Sequence, residues 1–371
     1  MKIFKFLLYA AVATLMATAC SDDNSPIIPT PGGDDDPIVT PDEEKECLGF
    51  FLLNAGGDGR AASLEYFDFS DNIMSEGWWT LKNADVRDNL GYWGTDVVAH
   101  NDYVLATLWD SDLLEICTRT GEHHKDVTIH GCSWIAASKG FAYVTSYYDD
   151  CVVKVDIEKG VISGTCATGH QPSGLAIIGN KLYVLNSCED YIDYDDLGKS
   201  EESSISIIDL ETFTEVKKVN LGITHAYSPL TVMPDGHSLF LHCNKVGDIA
   251  AKSIIFDTST LSVTKEIPRR SEFFAVSKDK VYVINTYYAE GWKATGFVYD
   301  ISTDAIIDFP ISDESLSSLG IPCGIWIHPN GEDVFIAVED RSYIYWLDMV
   351  GTIKGTFDTG HLPKHLAWDL R

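Results

Sequence analysis

Two sets of residues in this chain are of types that do chemistry. The first is a single cysteine near the start, Cys20, which follows the small residues Ala17-Thr18-Ala19. Ahead of them lie the cationic Met1-Lys2-Ile3-Phe4-Lys5 and an apolar run at 6–16, too short to cross a bilayer comfortably. A thiol so placed suits acylation: diacylglycerol on the sulfur and a fatty acid on the freed amine hold a protein to a bilayer by several chains. The second set is scattered through the polar stretches that separate apolar runs: Trp93, Trp109 with Asp110, Tyr147-Tyr148-Asp149, Tyr191, Tyr194, Tyr227, Asn244, Tyr287-Tyr288 with Trp292, and Arg341. An aromatic in a loop has no core to fill, and Tyr and Trp join a large stacking area to a polar tip. These residues are the expected ligand contacts.

Other chemistry has weaker support. His130, His170, His225 and His361 invite a metal reading, but four ligands of one ion must converge within a few ångströms. Two of them sit in Gly-His-x-Pro copies that read as turns. Asp190, Asp193, Asp195 and Asp196 lack the Asp-x-Asp-x-Asp-Gly spacing and distal Glu of a calcium loop. There is no Gly-x-Ser-x-Gly, no His-Glu-x-x-His and no phosphate-binding glycine loop. The sequence therefore supplies no metal, no cofactor and no catalytic residue as an expectation, although His130, Asp149 and Arg341 are types that polysaccharide lyases and hydrolases use. The formal net charge of −29 disfavours nucleic acid and anionic lipid headgroups as partners. Eight cysteines besides Cys20 are dispersed without a Cys-x-x-Cys pair, which reads as small buried hydrophobes, with one or two disulfides left open.

The elements that must position the loop residues are strands. Residues 174–178, the two-residue turn Gly179-Asn180 and residues 181–186 read as strand A, a tight hairpin and strand B; residues 204–209 and 215–219 follow as C and D. Strand B recurs as Phe141-Ala142-Tyr143-Val144-Thr145, Ser238-Leu239-Phe240-Leu241-His242, Val281-Tyr282-Val283-Ile284-Asn285 and Asp333-Val334-Phe335-Ile336-Ala337. Strand C ends in aspartate at Asp68, Asp156, Asp209, Asp257, Asp300 and Asp348, where the carboxylate can close a C–D turn by accepting a backbone hydrogen bond. The repeat predicts an all-β, seven-bladed propeller of four-stranded antiparallel blades over residues 47–371. The first blade starts at its B strand, residues 48–53. Its A strand is expected at the other end, His365-Leu366-Ala367-Trp368, because residues 360–367 align with residues 169–176. Pairing the two chain ends then closes the ring and removes an open sheet edge. One helical scrap is expected at Asp313–Leu319. Residues 1–19 read as a signal peptide, and 20–46 as the acylated cysteine with an acidic, Pro-rich tether of about 25–30 Å reach.

The Leu-Tyr-Val-Leu-Asn type of B strand, the Gly-His-x-Pro turns and the Asp-ended C strands resemble those of YncE-like, surface-layer-protein-like propellers, found as lipoproteins in Bacteroidota. The stretch around Cys20 resembles a lipobox, with Ala17 where Leu is commoner; ordinary secretory cleavage after Ala-Thr-Ala is the alternative. Ser21-Asp22-Asp23-Asn24 looks like the surface-export signal of that group's lipoproteins, with periplasmic retention as the alternative. The resemblance implies an outer-membrane, surface-exposed lipoprotein that touches the membrane through its lipid anchor only. It also implies capture of a small nutrient, a corrinoid such as cobalamin in one branch of the family, for a TonB-dependent transporter. A polysaccharide-degrading surface enzyme and a protein-binding adhesion or scaffold module are the two rival expectations.

Overall fold

Short runs of β-branched and aromatic residues, broken by Asp, Gly and Asn, pair with their sequence neighbours because tight turns bring consecutive strands together. The computed structural model describes residues 45–189, 195, 199–245 and 249–371. Cys20, the leader, the tether through residue 44, Tyr191 and Tyr194 lie outside the described residues. Blade I uses β1–β3 (Cys47–Asn54, Ser63–Asp68, Ile73–Ser75) and blade II uses β4–β7 (Gly94–His100, Tyr103–Leu108, Leu113–Thr118, His123–Thr128). Blade III holds β8–β11 (Cys132–Ser138, Phe141–Ser146, Cys151–Asp156, Val161–Ala167) and blade IV β12–β15 (Pro172–Ile178, Lys181–Asn186, Ser204–Asp209, Thr214–Asn220). Blade V is β16–β19 (Thr231–Val232, Ser238–Cys243, Lys252–Asp257, Ser262–Ile267) and blade VI β20–β23 (Phe273–Ser277, Lys280–Tyr288, Trp292–Asp300, Ala305–Asp308). Blade VII is β24–β27 (Pro322–Ile327, Asp333–Val338, Tyr343–Asp348, Ile353–Asp358), and the chain ends in β28 (Pro363–Leu370). Each sheet has four antiparallel strands in chain order, except that β28 is the inner strand of blade I. The seven-bladed propeller expected from the repeat is the fold.

Closure occurs where the terminal alignment places it: Phe50 pairs with Trp368 and Leu53 with His365. Backbone pairing extends one residue further, since Glu46 and Arg371 exchange two hydrogen bonds of 2.8 and 3.0 Å. Side chains lock the seam. Phe50 and Phe67, both fully buried, stack at 4.9 Å, and Phe335 and Trp368 pack edge-on against Phe50 to join blades I and VII. On β28, fully buried Asp369 accepts from the Tyr66 hydroxyl at 3.0 Å and is gripped by Arg371 and by Arg119 of blade II.

The two aligned turns before β12 and β28 share one geometry. The Gly169 N–H donates to Asn186 at 3.0 Å and the Gly360 N–H to Glu65 at 3.1 Å; a Cβ on either glycine would collide with the neighbouring side chains. Two residues later Gln171 and Leu362 take left-handed φ of 53° and 58°, and the following prolines begin the A strands. The six C-strand aspartates accept backbone N–H groups as expected, two residues on at Asp68, Asp209, Asp257 and Asp348, and three on at Asp156 and Asp300. Hydrogen bonds hold all six carboxyls below the ordinary range, chiefly from the side chains of Ser70, Lys159 and Ser302 at Asp68, Asp156 and Asp300, and from backbone N–H groups at Asp209, Asp257 and Asp348. The expected helix spans Asp313–Leu319, capped by Ser312 and seated on the core by Leu316 and Leu319. The eight described cysteines are unpaired, and seven are buried, so the bridges left open in the sequence do not form among them.

Two stability experiments follow from the seam. Asp369→Ala strands two guanidinium groups, and equilibrium urea unfolding is expected to show a loss of about 3 kcal/mol or more; a loss under about 1 kcal/mol would mean that the seam does not depend on this carboxylate. Burial pushes the Glu65 carboxyl up to about 7. Its contribution is full below its unfolded value near 4.5 and is lost as pH rises through 7. Glu65→Gln is therefore expected to lose less stability than wild type between pH 5 and pH 8, by up to about 3 kcal/mol; parallel pH profiles would refute this.

Candidate functional site

Seven innermost strands converge on the ring axis, and side chains there face neighbours across the axis rather than a sheet. Register places Asp96 opposite Thr107, Gly324 opposite Ala337 and His365 opposite Leu53, with Trp134 reaching the equivalent layer from β8. Glycine at Gly174 and Gly324 relieves crowding: a Cβ at the first would lie 2.2 Å from the Ser228 carbonyl oxygen, and at the second 2.3 Å from the Trp326 ring. Between these strands lies a pocket of about 460 Å³. Trp134, Trp326, Phe273, Phe274, Ile325 and Leu366 supply apolar wall, while Tyr227, Asn244, Arg270 and Lys364 come from strand starts and loops on the face carrying the D–A and B–C connections. That volume falls within the usual range for small-molecule sites.

Burial shifts three of the pocket's ionisable groups. Asp96 is enclosed and its carboxyl is pushed up to about 7 by burial, against the pull of backbone N–H bonds from Val97 at 2.8 Å and Ile135 at 2.9 Å. Burial, with the Lys364 charge adding to it, drives the His365 imidazole down to about 3, so the ring is neutral at physiological pH. His242 is likewise held neutral by burial; its Nε2 meets the Asn244 Oδ1 at 2.8 Å, which makes that nitrogen the donor. Its Nδ1 is then a lone-pair acceptor; that atom and the Trp134 indole nitrogen are both sealed from solvent, and neither makes a hydrogen bond to a described residue. Arg270 pairs with Glu272 at 2.8 Å, and Glu272 also receives the N–H and hydroxyl of Thr286 at 2.9 Å each. Lys364 makes no hydrogen bond or ion pair to any described residue.

Beside the pocket the structure assembles part of the expected contact set. Trp109 and Tyr147 lie 4.9 Å apart, Trp109 and Tyr148 5.2 Å, and Tyr147 and Tyr148 5.4 Å. Tyr147 also meets Tyr227 at 6.5 Å, and Tyr227 lines the pocket, so this aromatic cluster and the pocket are continuous. Tyr147 is itself largely buried, whereas Tyr148 is 56% exposed. Asp149 accepts from His130 at 3.0 Å, and His130 packs on Tyr148. That bond raises the His130 value and lowers that of Asp149. The Ser146 hydroxyl contacts Asp149 at 3.2 Å. Asp110 is exposed in a one-turn helical segment, Trp109–Ser111.

Other expected contacts go elsewhere. Trp93 sits at a left-handed φ of 55° and leans over Gly57 near Leu362, at the closure turn. Tyr287, Tyr288 and Trp292 cap the long β21–β22 hairpin, with Tyr288 and Trp292 edge-on at 5.8 Å. Arg341 contacts the Tyr345 hydroxyl at 3.1 Å and Asp340 at 4.0 Å. The four loop histidines each meet a carboxylate of a nearby B–C loop: Asp149 for His130, Asp150 for His170, Glu189 for His225 and Asp58 for His361. Among the described residues no three His, Cys, Asp or Glu side chains are placed to share a metal ion.

The contact set drawn from loops misses Asp96, Trp134, Trp326 and His365 of the A strands and His242 of the B strand β17. For Asp96, Trp134 and His365 a signal was available: these large or polar residues stand in A strands at the layer where Gly174 and Gly324 sit in two other blades.

No protein-family description matches the sequence, and no curated protein matches it. Solved structures do match. The chain is similar to Kuenenia stuttgartiensis hydrazine synthase, with a TM-score of 0.62 and 16% identity over 74% of this chain and 89% of that one. It is similar to a 6-phosphogluconolactonase-like protein of Bacteroides fragilis, with a TM-score of 0.57 and 12% identity over 89% and 99% of the two chains. A streptogramin B lyase gives 0.52 and 12% over 74% and 87%. At such identities the likeness concerns the propeller fold alone.

An NMR titration of imidazole shifts tests the dehydrated floor. His365 is expected to stay neutral from pH 8 to about 4, while His130 titrates above the ordinary histidine range. A His365 midpoint at the ordinary value of 6.5 would mean that water fills the site.

Proposed function

We propose that this chain is a non-enzymatic binding lipoprotein of the outer-membrane surface, anchored by Cys20, that captures a small nutrient ligand for a TonB-dependent transporter. The observation that carries the binding part is the axial pocket: apolar rings on its wall, Asn244, Arg270 and Lys364 among its polar lining, and a cluster of tyrosine and tryptophan at its edge. Such a concave site, mostly apolar with a few polar groups, suits a small molecule. The anchor reading rests on residues 1–20, and the transporter reading on the family resemblance. A corrinoid is the specific candidate from that resemblance; its flat macrocycle is broader than the pocket and would lie on Trp109, Tyr148 and Tyr227 at the rim. No resident cofactor, nucleic acid or membrane contact beyond the lipid anchor forms part of the proposal. A polysaccharide-degrading enzyme is the second reading, favoured by the exposed His130–Asp149 hydrogen bond.

The full chain, purified in detergent, is titrated with cyanocobalamin and cobinamide and followed by corrin absorbance. Saturable binding below about 1 μM, weakened at least about tenfold by Trp109→Ala, is expected. No saturable change removes the corrinoid. Release of sugar from a glycan panel, abolished by His130→Ala, would replace binding with catalysis.

A further inference from the structure

We infer that the axial pocket selects a one- or two-ring aromatic carboxylate, holding the ring between indole walls and the carboxylate on Lys364. The inference rests on the proposed binding role of this pocket and narrows its ligand. Size comes first: about 460 Å³ accommodates a small ring system and excludes a long chain of sugars. Shape follows from the wall, where Trp134, Trp326 and Phe273 offer flat surfaces that favour stacking.

Charge decides the rest. The chain carries a formal net charge of −29, whereas the charged groups lining this pocket balance at formal charge, Arg270 and Lys364 against Asp96 and Glu272. Arg270 and Glu272 neutralise each other at 2.8 Å. His242 and His365 are held toward the neutral ring by burial, and burial likewise pushes the Asp96 carboxyl up to about 7, so that its protonated form leaves the lining with one net positive charge. Lys364 remains, lining the pocket, one residue into β28, with no partner among the described residues. A partly dehydrated ammonium beside apolar rings calls for an anion, and a carboxylate gives a charge-assisted hydrogen bond. A sugar acid fits less well, because each hydroxyl would need its own partner and the pocket wall is mainly ring and aliphatic carbon.

The test compares matched acids and amides on the full chain by isothermal titration calorimetry: quinoline-2-carboxylate and indole-3-acetate against quinoline-2-carboxamide and indole-3-acetamide, with galacturonate as a sugar acid. At least one aromatic acid is expected to bind at least about tenfold tighter than its amide. Lys364→Ala is expected to erase that preference without weakening the amide, and Lys364→Arg to retain it. Circular dichroism and unfolding midpoints establish that the variants fold. Equal binding of acid and amide, a preference unaffected by Lys364→Ala, or tighter binding of galacturonate than of either aromatic acid overturns the inference while leaving a ligand pocket in place. Absence of binding by all five probes overturns the inference; with no corrinoid binding either, the proposed binding role falls with it.

Discussion

Everything at the centre of this molecule depends on the antiparallel pairing of its last strand with its first. A propeller blade left without its inner strand exposes a row of unpaired N–H and C=O groups and leaves a gap in the ring. β28 fills both needs at once. Its backbone completes the sheet of β1, its Trp368 enters the aromatic seam between blades I and VII, and its Asp369 draws in Tyr66, Arg119 and Arg371. The same strand carries Lys364, His365 and Leu366 into the axial pocket. Closure and site construction are therefore one event, and the pocket lacks a wall until the chain ends meet.

The pocket itself is a product of crowding. Outer strands pack sheet against sheet, so their side chains fill core between blades. Inner strands instead crowd round an axis where little room remains. Gly174 and Gly324 accept that limit by having no side chain, and the space so released is shared among Trp134, Trp326 and the polar groups beside them. Removal from water then sets the protonation of Asp96, His242 and His365 without any need for a metal or a strong ion pair.

Electrostatics are partitioned in the same way. The C-strand aspartates sit on the turns and accept backbone N–H groups there, while B–C loop carboxylates orient the loop histidines. Asp149 and Asp150 thus shape the loop face, whereas the pocket beside it sets Arg270 and Lys364 against Glu272 and a carboxyl, Asp96, that burial pushes toward its neutral form. An acidic exterior around a charge-balanced recess gives the molecule polarity at its axis that the overall charge conceals.

The sequence by itself determined the strand repeat, the Asp-closed turns, the matching Gly-His-x-Pro turns, the helix at Asp313–Leu319 and the closure of the ring by residues 365–368 against the first strand, because each depends on local chemistry or on an internal copy. It also marked loop aromatics, of which Trp109, Tyr147, Tyr148 and Tyr227 come together. Only the tertiary structure decided that Trp93, Arg341 and the Tyr288–Trp292 pair lie apart from that cluster in contact terms, and that Asp96, Trp134, His242 and His365 face a shared pocket. The reason is geometric. Residues 96, 134, 242 and 365 belong to separate blades, and no local pattern records which positions on separate strands meet at the axis once the ring has closed.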